Sequence, residues 1–65
     1  MSLKEIVQMQ IEIMESGLDL NLNMAQKLVD ELGGDCKLEK FDHVNTVNYY
    51  ITLLILRRMD DGKLL

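Results

Sequence analysis

With 65 residues, a net charge of −4 and a single cysteine, the chain has room for one domain and for neither an intrachain disulfide nor a four-ligand Cys/His zinc cage. Its composition is 48% hydrophobic, which is too apolar for a disordered chain. Proline is absent and glycine occurs four times, too few turn formers for a small all-β fold, so helices are expected.

From Leu3 to Met14 the apolar residues Leu3, Ile6, Val7, Met9, Ile11, Ile13 and Met14 recur mostly at three- and four-residue steps. Polar residues fill the gaps, which predicts an amphipathic helix over 3–16 with Ser2 as N-cap and Ser16-Gly17 as its stop. Residues 18–23 then alternate apolar with polar, but Asp19, Asn21 and Asn23 are poor strand formers. A loop is expected there, with Asn23 and Gln26 at capping-box spacing, followed by a second helix over 22–32. A rival pattern runs Val7, Ile11, Met14, Leu18, Asn21, Ala25, Leu28 and Leu32 as one heptad-like series, making 3–32 a single helix. Gly17 inside that helix costs about 1 kcal/mol relative to alanine, which favours the broken, three-helix reading.

After Gly33-Gly34, Asp35 is the expected N-cap of a last helix over 36–59, ended by Asp60-Asp61-Gly62. Its stripe is Leu38, Phe41, Val44, Val47, Ile51, Leu54 and Ile55. From Tyr49 to Leu56 only Thr52 is polar, so this helix needs cover on every side. Two short helices cannot supply it. Chains this small also usually need a staple or a partner subunit. The expected fold is therefore all-α, a bundle of two or three helices in one domain, 1–65, completed by homodimerisation. The expected interface is Tyr49, Tyr50, Leu53, Leu54 and Leu56, the adjacent tyrosines pointing about 100° apart on a helix.

Chemistry is sparse. Cys36 and His43 are seven apart and share one side of a helix that starts at Asp35, but a Cys–His centre also needs an orienting group and a cleft. Glu39, Asp42 and His43 do not make up a ligand set of recognised spacing, and Gly33-Gly34 lacks the rest of a phosphate loop. No catalytic residue, metal or cofactor is expected. Residues 1–36 carry seven acids and two bases, and residues 37–65 carry four acids and five bases.

These features favour a non-enzymatic acidic helical protein acting through protein–protein contact, as an inhibitor, adaptor or assembly regulator of the kind phages and accessory elements encode. Its partners would be a second copy and another protein. The alternative is a nucleic-acid-binding bundle using Lys37, Lys40, Arg57 and Arg58, although acids interrupt these cations where phosphate binding favours a dense patch. In length and architecture the helical-hairpin option and the Asp60-Asp61-Gly62 ending resemble the plasmid RNA-binding four-helix bundles, but their basic RNA-contacting face is not evident here. The N-terminus does not read as a signal peptide and the longest apolar run is far short of a membrane span, so a soluble cytoplasmic protein is expected.

Overall fold

A computed structural model of the chain describes residues 1–62. Among them are three α-helices and no strand: α1 (Leu3–Ser16), α2 (Leu18–Glu31) and α3 (Val44–Asp60), with a short 3-10 turn at Leu38–Lys40. Each helix touches the other two. The radius of gyration is 10.9 Å, against about 10.7 Å for a globular chain of this length.

Local chemistry starts α1. The Ser2 hydroxyl accepts from the Glu5 N–H at 3.2 Å, and the Glu5 carboxylate accepts from the Ser2 N–H at 3.1 Å and from the Ser2 hydroxyl at 2.9 Å. This capping box satisfies amide donors that the first turn would otherwise leave open. The Ser2 backbone bond first, and its hydroxyl second, hold the Glu5 carboxyl below the ordinary glutamate value. Since the folded-state value is lowered, the carboxylate's part in the cap is complete above the ordinary glutamate range and is lost as pH falls through the lowered one. Ser2→Ala should cost about 1 kcal/mol. A thermal melt at neutral pH checks this, with several degrees of destabilisation expected for a chain of this size.

Gly17 separates α1 from α2. Its φ of 87° and ψ of 158° are open only to glycine, and its N–H closes α1 on the Ile13 carbonyl at 2.9 Å. The single-helix alternative over 3–32 is thereby excluded. α2 nevertheless begins at once, at Leu18 rather than at 22, where the alternating pattern predicts a loop. The trace of that pattern is a kink at Asn21 (φ −123°, ψ 15°), whose side-chain amide donates to the Gly17 carbonyl at 3.0 Å. Such a bond to the carbonyl four residues back lets asparagine sit near a helix start while distorting it.

α2 ends in a Schellman motif. Gly33 takes φ +84°, its N–H donates to the Asp30 carbonyl, and the Gly34 N–H donates to the Val29 carbonyl at 2.9 Å.

The largest correction concerns residues 36–43. They are not α-helix: they form a loop around the 3-10 turn at Leu38–Lys40, and α3 starts at Val44 with His43 at its N-cap. Gln26 of α2 holds this segment by its side-chain amide, donating to the Cys36 carbonyl at 3.2 Å and accepting from the Leu38 N–H at 2.9 Å. Leu38 is completely buried, and the Phe41 ring packs on Tyr50 at 6.0 Å and 60°. Leu38 and Phe41 thus reach the core as the stripe requires, but from a loop. The core itself joins Ile6 and Ile13 of α1, Ala25, Leu28 and Val29 of α2, and Val47, Ile51, Leu54 and Ile55 of α3.

Candidate interaction surface

α1 carries two apolar stripes. Ile6 and Ile13 face the core, while Val7, Ile11 and Met14, spaced four and three apart, stay 42%, 45% and 48% exposed. α3 repeats the pattern: Val47, Ile51, Leu54 and Ile55 are buried, while Tyr49, Leu53, Leu56 and Met59 remain 67%, 46%, 55% and 41% exposed. The two helices meet at a polar seam. The Gln10 side-chain amide of α1 donates to Thr52 Oγ1 at 3.1 Å and to the Asn48 carbonyl at 3.4 Å, and the Thr52 hydroxyl donates to that same carbonyl at 2.8 Å.

Beside this seam a groove of about 380 Å³ runs past Val7, Gln10, Ile11, Met14, Glu15 and Asn48. Asn48 Oδ1 is buried here without a hydrogen-bond partner, while its Nδ2 donates weakly to the Val44 carbonyl at 3.5 Å. A buried acceptor with no donor costs about 1–3 kcal/mol until something donates to it.

Comparison with protein-family models, curated proteins and solved structures finds no match to this chain. Any functional reading must therefore come from the molecule's own surface.

Of the five interface residues expected from the sequence, the structure leaves Tyr49, Leu53 and Leu56 outside and takes in the other two. Leu54 is 4% exposed and belongs to the core. Tyr50 is half-buried, and its hydroxyl accepts from the Cys36 N–H at 3.4 Å. Its hydrogen bond with the Cys36 side chain first, and its burial second, raise its phenol above the ordinary tyrosine value. The missing cover for this side of α3 is the loop 35–43, which a reading of helices alone could not supply.

Sequence reasoning missed the α1 half of the surface. The signal was present, since Val7, Ile11 and Met14 open the heptad-like series. They also belong to an amphipathic set with more apolar residues than one buried face accommodates.

The other candidate residues do not assemble. Cys36 and His43 are both exposed, and because α3 begins after His43 they no longer share a helix face. Glu39, Asp42 and His43 are exposed, and among the described residues no three His, Cys, Asp or Glu side chains come together to hold a metal ion. The cations lie on two elements, the segment around the 3-10 turn and the last turn of α3. Lys37 lines a shallow pocket with Leu22, Asn23, Gln26 and Glu39; Lys40 ends the 3-10 turn; Arg57 is exposed in the last turn of α3. Arg58 is half-buried beside Gly33, where its positive charge suits the C-terminal end of α2. Lys63 lies outside the described residues. No described helix is long and apolar enough to cross a membrane.

Proposed function

We propose that this chain is a non-enzymatic interaction protein of the cytoplasm, an inhibitor, adaptor or assembly regulator, and that it works as a homodimer. The observation that carries the reading is the set of large apolar side chains that α1 and α3 leave exposed. Val7, Ile11, Met14, Tyr49, Leu53, Leu56 and Met59 all stay between 41% and 67% exposed. Large exposed apolar patches mark interaction sites in native proteins. The exposed Met14 of α1 and the exposed Tyr49 and Met59 of α3 also suit such a surface, since both residue types are enriched at interfaces.

Sedimentation equilibrium at micromolar concentration tests the reading. The wild-type chain should sediment as a dimer. Leu53→Glu should give a monomer whose far-ultraviolet circular dichroism is unchanged, because Leu53 is 46% exposed and a carboxylate there keeps its water within one chain. Across a dimer interface the same carboxylate would be desolvated. A wild-type monomer would count against self-association.

A further inference from the structure

Residues 35–42 are tied to the bundle by side chains alone. Among the described residues, their only backbone–backbone bonds are internal to the 3-10 turn. The Lys40 N–H donates to the Lys37 carbonyl at 3.3 Å, and the Phe41 N–H to the Leu38 carbonyl at 2.9 Å. The hydrogen bonds that leave the segment end on the Gln26 amide of α2 or on the Tyr50 hydroxyl of α3. We propose that these residues form a strap that lifts from the bundle as one unit while the three helices stay packed, freeing Tyr50. This motion goes beyond the reading of the chain as an interaction protein and does not depend on it.

Three observations make the segment separable. The first is burial. Of residues 35–42 only Leu38 is buried and Phe41 is half-buried, while Asp35, Cys36, Lys37, Glu39, Lys40 and Asp42 are exposed. A single buried side chain therefore anchors a stretch whose backbone regains its conformational freedom on opening.

The second is where the segment ends. α2 closes on its own Schellman bonds, from the Gly33 and Gly34 N–H groups to the Asp30 and Val29 carbonyls. α3 opens on the His43 carbonyl, which accepts from the Thr46 and Val47 N–H groups at 3.2 and 3.3 Å. Both helix ends keep these bonds when the strap is lifted. The third is that each helix touches the other two directly, so the strap bridges no pair that would otherwise lie apart. Local opening is drawn from such weakly anchored segments. On opening, Tyr50 loses the Cys36 N–H at 3.4 Å and the Phe41 ring at 6.0 Å. Its ring is then bare on the same helix face as the exposed Leu53, three residues on.

Native-state hydrogen exchange of the intact chain, followed by NMR at urea concentrations below the unfolding transition, tests the strap. The Leu38 and Phe41 amides should have opening equilibria about 100-fold more favourable than those of Val29 and Ile51, with equal and shallow urea dependence. Ile6→Val trims the core on α1, a helix that none of the strap's hydrogen bonds reaches. It should speed exchange at Val29 and Ile51 about fivefold and leave Leu38 and Phe41 unchanged. One opening equilibrium and one urea slope for all four amides, quickened together by Ile6→Val, would overturn the strap and make the segment part of the global unit. Unequal slopes at Leu38 and Phe41 would overturn it too, since the segment would then fray piecemeal.

Discussion

Gly34→Ala is expected to remove about 3 kcal/mol of stability, the scale of overpacking in a closed core, from a domain whose total is on the order of 3–10 kcal/mol. A Cβ at this position would lie 2.7 Å from the Tyr50 hydroxyl, 2.7 Å from Val29 Cγ1 and 2.8 Å from Leu54 Cδ1. All three are nearer than real Cβ contacts allow, and they come from two helices. Val29 is fully buried, β-branched and fixed on α2, so it has no other rotamer to take. Leu54 is 4% exposed, and moving Tyr50 would break its bond to the Cys36 N–H. The neighbouring glycine is the control. Gly33 has φ +84° and only Arg58 Nη1, at 3.8 Å, near its missing Cβ. Gly33→Asn should therefore cost well under half as much, since asparagine tolerates the left-handed region. Urea denaturation compares the two directly. Equal losses would show that the Schellman backbone matters here and the close approach does not. In a Tyr50→Phe background, which removes one of the three obstructing atoms, the penalty of Gly34→Ala should shrink.

Leu38→Ala is expected to cost about 2–4 kcal/mol, the range for a fully buried leucine. The effect should be larger in consequence than in energy, because Leu38 is the apolar anchor of the loop that covers one side of α3. With it gone, the two Gln26 bonds and the contacts of Cys36 and Phe41 with Tyr50 hold the segment. Native-state hydrogen exchange supplies the readout. The Leu38 N–H, donating to Gln26 Oε1 at 2.9 Å, should be protected in the wild type and exchange rapidly in Leu38→Ala. Gln26→Ala should expose the same amide at a smaller cost of about 1–2 kcal/mol. If residues 36–43 were helical in solution, the Asp42 and His43 amides would be protected by helical bonds in the wild type and would stay so in Leu38→Ala. That outcome would sink the loop assignment.

The elements divide by how local their causes are. The Ser2–Glu5 capping box lies within four residues, and the two reciprocal bonds can be read from spacing alone. The break at Gly17 is also local, since glycine reaches its φ of 87° at little steric cost. So is the apolar excess of α3, of which Tyr49, Leu53, Leu56 and Met59 stay exposed. Misreading began where a local pattern competes with a distant partner. Residues 18–23 alternate like a strand or loop, yet Asn21 settles on the Gly17 carbonyl and the helix runs through them with a kink. Asp35 to His43 has a plausible cap and helical spacing, yet Gln26, ten to twelve residues upstream, takes the Cys36 carbonyl that a helix would need and holds the Leu38 amide as well.

The sequence by itself determined the class of the fold, the placement of its first helix and the presence of more apolar surface than one bundle buries. These follow from the period of hydrophobic residues, from caps and from glycine, all of which act over a few residues. Only the tertiary structure decided which apolar residues remain outside. It drew Tyr50 and Leu54 inward and left Val7, Ile11 and Met14 of α1 exposed, as it did Tyr49, Leu53 and Leu56 of α3. The reason is physical. Periodicity fixes the angle between side chains on one helix, whereas burial depends on which neighbour occupies each angle, and that neighbour is set by contacts between residues far apart in the chain.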